Sequence, residues 1–247
     1  MLRYFIEISY DGTQYHGWQI QSNAITIQEI ITDRIRTYLS DDQIDIVGCG
    51  RTDTGVHAKQ FFLHFDCNDS FEFDKAIYNL NNMLPNDIVI HKLFRVENDL
   101  HARFSAVKRT YKYYLHRLKD PFKEKYSLYY NKELDVERMN QACKILLKHN
   151  DFTSFSKVHT DVKTNICNLS EAKWITLNNE LIFTISADRF LRNMVRSIVG
   201  TMIEIGLKKL EVKEINSIIE TKDRAAAGVS VSAHGLFLEE VKYDNSK

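Results

Sequence analysis

The residues best suited to chemistry sit in one loop. Residues 50–60 read GRTDTGVHAKQ and lie between two apolar runs, IDIVG and FFLHF. An Asp-Thr-Gly tripeptide between strand-like segments is also how an aspartic protease loop looks, but that chemistry needs two carboxylates sharing one proton. The chain has one such tripeptide, and it is preceded by Arg51 and Thr52 where those proteases carry apolar residues. An arginine two positions away works against a shared proton. Asp53 is therefore either a lone catalytic carboxylate or an aspartate that closes a turn before Gly55. His57 and His64 are nearby, with no third ligand at a metal-binding spacing, and are expected to be packed or solvent-facing histidines.

Two further segments carry basic charge. AVKRTYKYYLHR (106–117) interleaves Lys108, Arg109, Lys112, His116 and Arg117 with three tyrosines. On a strand, Tyr111 and Tyr113 share one face and Lys112 and Tyr114 the other. Such a strand suits phosphate contact with base stacking, and equally suits an amphipathic strand with buried tyrosines. In DRFLRNMVRSIVGTMIEIG (188–206), helical spacing predicts a core stripe of Leu191, Met194, Val195, Ile198, Met202 and Ile205. A second stripe holds Arg189, Arg192 and Arg196. Cations in the first turns of a helix oppose its dipole, so phosphate or carboxylate contact explains these arginines better than helix stability does.

The elements that must position these residues follow from periodicity. Tyr4, Ile6, Ile8 and Tyr10 alternate along a strand that Asp11-Gly12 stops. Thr26 and Glu29 have capping-box spacing ahead of a helix carrying Ile27, Ile30, Ile31, Ile35 and Leu39. A strand near 44–49, the Asp53 loop, a strand near 59–65, a helix over 75–84 and a strand near 88–96 complete a βαββαβ order. From Arg109 the order repeats: a strand to about 117, a helix over 136–149, strands near 172–176 and 181–187, a helix over 189–205, an extra helix near 212–221 and a final strand near 236–243. The expected fold is α+β, with two βαββαβ (ferredoxin-like, split βαβ) halves, residues 1–105 and 106–247. The halves are expected to join into one extended antiparallel or mixed sheet with helices on one face and a central cleft.

Composition sets the broad class. The 247 residues are 44% hydrophobic and 27% charged with 2 prolines, which marks a folded protein rather than a disordered or fibrous one. Basic and acidic residues both number 33, so any polyanion must be met by a local concentration of charge. No run approaches the roughly 18 apolar residues of a membrane span, and the expected location is the cytoplasm. Cys49, Cys67, Cys143 and Cys167 form no C-x-x-C pair and are expected to be reduced, packed thiols.

Taken together, GRTDTGVHA, FSAVKRTYKYYL and FLRNMVRSIVG resemble the tRNA pseudouridine synthase A family, and the likeness runs nearly end to end. It includes YDGTQYHGWQIQ near the start, HARFSA before the tyrosines, DFTSFS in the middle and GLFLEEVKY near the end. The resemblance implies an isomerase that detaches uracil from C1′ of its ribose, rotates it and rejoins it through C5, without cofactor or metal. It implies Asp53 as the essential carboxylate, Tyr111 as the ring that stacks on the flipped base and helps remove the C5 proton, and Arg196 as the basic partner of Asp53. Arg51 would hold the looped-out nucleotide, and Leu236 would line the pocket. The implied substrate is uridine at positions 38, 39 and 40 of the tRNA anticodon stem-loop, and the implied assembly is a homodimer. Thr54 stands where many relatives have alanine. The alternative is a non-catalytic RNA-binding module of the same fold, but a binder has no use for a carboxylate that repels phosphate.

Overall fold

A computed structural model describes residues 1–68, 70, 72–157 and 164–244. The chain divides into two compact units: Met1–Val107 with the segment from Leu238 onward, and Lys108–Phe237.

The first unit runs β1 (Leu2–Tyr10), α1 (Ile27–Leu39), β2 (Val47–Gly48), β3 (His57–Cys67), α2 (Phe73–Met83) and β4 (Ile88–Val96). The central strand β1 is antiparallel to both β3 and β4, so Ile6 lies between Leu63 and Leu93. The short β2 pairs with β3, and so does the final strand β9 (Leu236–Tyr243). Thr26 caps α1 by accepting the Glu29 N–H at 3.3 Å, as the capping-box spacing predicts. Ile27, Ile31 and Ile35 form its buried stripe. Both faces of β1 are covered. Tyr4 meets Phe73 at the start of α2, while Phe5 meets Phe62, His64, Phe94 and Tyr243 in an aromatic layer on the other face.

The second unit contains β5 (Ala106–His116) from Lys108 onward, β6 (Leu128–Tyr129), α3 (Val136–Leu146), β7 (Leu169–Leu177), β8 (Glu180–Ala187), α4 (Met194–Gly206) and α5 (Glu214–Glu220). Strand β8 lies between β5 and β7 and is antiparallel to both, with Tyr111 opposite Ile185 and Tyr113 opposite Phe183. Helix α4 is buried along almost its whole length. All four cysteines are buried free thiols, and burial pushes Cys143 and Cys167 up to about 12.

Two expectations fail locally. The strand expected over 44–49 is reduced to Val47–Gly48. The helix expected from Arg189 begins only at Met194, because Asn193 takes a left-handed conformation (φ 65°) and Asp188 accepts the backbone N–H groups of Arg189 and Asn168. Arg189 and Arg192 therefore lie in the irregular segment before α4, and only Arg196 of the expected stripe is helical. Hydrophobic periodicity alone could not see that start, because a short polar side chain can satisfy backbone donors without a helix.

Candidate active site

Asp53 is half-buried in the loop between β2 and β3. A second loop, from Asp11 to Trp18, clasps it. The Trp18 N–H donates to the Thr52 carbonyl (3.2 Å), and the Gly55 N–H donates to the Tyr15 carbonyl (3.2 Å). The Tyr10 hydroxyl shares a buried 2.9 Å hydrogen bond with the Thr52 hydroxyl. The Asp53 carbonyl accepts the Val56 N–H at 3.1 Å, so the main chain itself closes the turn around Gly55.

Two glycines let the loops touch. A Cβ on Gly12 would lie 2.0 Å from the Val56 carbonyl oxygen. Gly17 has φ +86°, and a Cβ there would lie 2.4 Å from the Thr52 oxygen and 3.1 Å from the Asp53 carbonyl carbon. The Nδ1 atom of buried His57 lies 3.1 Å from the Gly12 N–H and 3.0 Å from Asp11 Oδ1. A neutral ring accepts from the first; a protonated ring donates to the second. The Tyr15 hydroxyl donates to Asp87 at 2.6 Å, and burial followed by that carboxylate pushes its pKa up. Arg51 is exposed and lines a cavity of about 150 Å³ together with Trp18, Gln28, Gly50 and Arg103.

The second unit carries the other expected residues. Tyr111 is half-buried on β5, edge-on to Phe190 with ring centroids 5.1 Å apart. Tyr113, on the same face, is fully buried, and its hydroxyl donates to the Ser232 carbonyl at 2.8 Å. Burial raises the Tyr113 pKa, and the nearby Arg196 charge works against that rise. Arg196 is fixed from both ends: its Nε donates to the Val231 carbonyl (2.7 Å), and its own carbonyl accepts the Val231 N–H (3.2 Å). Leu236, 5% exposed, opens β9 directly after the Ala233–Gly235 turn that lies on the Tyr113 ring. Tyr113, Arg196 and residues 231–236 thus form one assembly. Arg189 is half-buried and Arg192 exposed, and the Arg192 carbonyl accepts the Lys157 N–H.

The sequence reading did not anticipate the supports. Tyr10, Gly12, Gly17 and His57 hold the Asp53 loop, while Val231 holds Arg196 and Tyr113 fixes the adjoining Ser232. The signal for the first group was present in YDGTQYHGW, where two glycines spaced among aromatics mark a tight loop. His64, expected to be either packed or solvent-facing, is packed: its Nδ1 accepts the Ala102 N–H at 3.1 Å.

The chain matches the family described as tRNA pseudouridine synthase over residues 7–105 and 142–244, and it belongs to that family. It is an isomerase. Within the class its relatives are named tRNA pseudouridine synthase A. One from Bacteroides fragilis is 50% identical, covering 98% of this chain and 96% of the relative. One from Porphyromonas gingivalis is 48% identical (98% of each), and one from Bacillus subtilis is 39% identical (96% of this chain, 98% of the relative).

Proposed function

We propose that this protein converts uridine to pseudouridine in tRNA, at positions 38, 39 and 40 of the anticodon stem-loop, in the cytoplasm and as a homodimer. The strand orders support a split βαβ, ferredoxin-like reading of each half. No helix among the described residues is long and apolar enough to cross a membrane. The reaction breaks the N1–C1′ bond and forms C5–C1′; C5 gives up a proton and N1 gains one, so composition is unchanged and no cofactor or metal is called for. Asp53 is the essential carboxylate. Tyr111 stacks on the flipped base and helps remove the C5 proton, and Arg196 is the basic partner of Asp53. Arg51 holds the looped-out nucleotide, Leu236 lines the pocket, and Arg189 and Arg192 contact phosphate. Taking the uridine out of its stack costs a few kcal/mol, which stacking and phosphate contacts offset.

The observation that carries this reading is the fixed backbone around Asp53. Two glycine close approaches, one of them at positive φ, and a buried Tyr10–Thr52 hydrogen bond fix the backbone on either side of Asp53. Placing a reacting group this firmly is what catalysis rewards and folding does not. The test is to incubate the protein with unmodified tRNA and map carbodiimide-reactive pseudouridines by primer extension, in parallel with transcripts in which U38, U39 or U40 is replaced by cytidine. Products at those sites support the assignment; products elsewhere overturn the site, and none at all overturns the function.

A further inference from the structure

The turn over residues 100–105, in the first unit, is held at nearly every backbone group. The Ala102 N–H donates to buried His64, and the Ala102 carbonyl accepts the Tyr243 hydroxyl at 2.7 Å. The Arg103 and Phe104 N–H groups both donate to His101 Nδ1, at 3.1 and 3.2 Å. The His101 N–H donates to the Ser105 hydroxyl. The Leu100 carbonyl accepts from the Arg3 guanidinium, which is itself clamped on Asp66 by two hydrogen bonds. Burial, with Arg3 and Arg103 close by, holds the His101 imidazole below its ordinary value, which keeps Nδ1 an acceptor.

What this framework presents is an aromatic ring in solvent. Phe104 is 77% exposed, with the Arg103 guanidinium 5.6 Å from its ring centre and the His101 ring 4.4 Å away. A single exposed apolar side chain is ordinary. A phenylalanine displayed by a turn with six or more fixed backbone groups is not explained by folding, since burying the ring would gain about 1.5–3 kcal/mol. Arg103 also lines the cavity that Arg51 lines, and no carboxylate is among the residues lining it. Fixed aromatic surface beside two guanidiniums suits a nucleobase and its phosphates.

We propose that Phe104 is a stacking platform for an unpaired base of the bound tRNA, and that Arg103, with Arg51, grips the adjoining phosphates. This rests on the tRNA-modifying function proposed above. The test compares wild type with Phe104→Ala, Phe104→Trp and Arg103→Ala on an unmodified tRNA transcript. Phe104→Ala should bind roughly five- to hundredfold more weakly with an unchanged salt slope. Phe104→Trp should bind like wild type, and its added emission should be quenched by tRNA; Trp18 and Trp174 are buried and serve as the wild-type background. Arg103→Ala should flatten the dependence of log K on log salt by up to about one unit. Binding by Phe104→Ala within twofold of wild type, or an unquenched Phe104→Trp, overturns the platform. A dimer that becomes monomeric in Phe104→Ala overturns it as well, by making the ring a protein contact. Wild type that isomerises tRNA while Phe104 proves indifferent leaves the function standing and removes only the platform; wild type that neither binds nor isomerises tRNA removes both.

Discussion

Gly17→Ala adds one methyl group to the loop that clasps Asp53. The left-handed φ of +86° costs a non-glycine residue about 1–2 kcal/mol. The new Cβ would sit 2.4 Å from the Thr52 oxygen, where ordinary contact begins at 3.4 Å, so the two loops must part by about 1 Å. That separation strains the Trp18–Thr52 and Ile27–Gly17 backbone hydrogen bonds, both 3.2 Å, each with a net worth of about 1 kcal/mol. The sum is about 3–4 kcal/mol if both bonds are lost, or a melting temperature lower by about 6–16 °C for a chain of this length. A misplacement of about 1 Å at a reacting group costs about 100-fold in rate. Single-turnover tritium release from C5-labelled uridine at saturating enzyme should fall by that factor, while tRNA affinity changes only a few-fold. Gly50→Ala is the control: a Cβ there meets nothing within 4 Å, so its melting temperature should stay within about 2 °C of wild type. Gly17→Ala with wild-type rate and melting temperature would show that the 11–18 loop does not position Asp53.

Asp53→Asn should abolish tritium release while keeping tRNA affinity within about tenfold; appreciable release removes Asp53 from the chemistry. Tyr111→Phe should retain most binding and lose turnover, whereas Tyr111→Ala should lose both; equal rates for wild type and Tyr111→Phe reduce the residue to a platform. Arg196→Lys keeps the charge but not the Nε–Val231 hydrogen bond, so its rate should fall between those of wild type and Arg196→Met, with a stability cost of about 1 kcal/mol; a Lys variant as slow as Met refutes the role of charge. Burial, aided by Arg3, lowers His64 to about 4. Between its ordinary value near 6.5 and about 4 the unfolded chain takes up a proton that the folded chain does not. Urea-unfolding stability should then drop by up to about 1.4 kcal/mol per pH unit as pH falls through that window. His64→Asn keeps an acceptor for Ala102 and should remove that slope; an unchanged slope refutes the assignment to His64.

Legibility followed the range of the forces involved. The α1 stripe of Ile27, Ile31 and Ile35 and its Thr26 cap were readable because the residues that make them are neighbours in sequence. The alternation of β1 was readable in the same way, although period two could not reveal that Phe5, on the opposite face from Tyr4, is buried too, by Phe94 and Tyr243 from distant segments. The start of α4 was misread because apolar spacing continues through Leu191, while the backbone donors of Asn168 and Arg189 are taken by the Asp188 side chain, a pairing across 20 residues in the first case. The proposed site divides along the same line. Asp53, Arg196 and Tyr111 announce themselves by residue type, since a carboxylate, a guanidinium and a phenol are few and costly to place. The parts that hold the Asp53 loop and Arg196 are backbone carbonyls at Thr52 and Val231, which every residue has and no letter of the sequence distinguishes. Only their partners leave a mark: a glycine where a Cβ would collide, as at Gly12 and Gly17, and a tyrosine whose hydroxyl must be satisfied in a buried place, as at Tyr10 and Tyr113. Glycine and tyrosine interleaved in one short segment are therefore the local trace of a long-range support, and YDGTQYHGW is that trace for the Asp53 loop, whereas Tyr113 and Gly235, which meet in space, lie in distant segments and leave none.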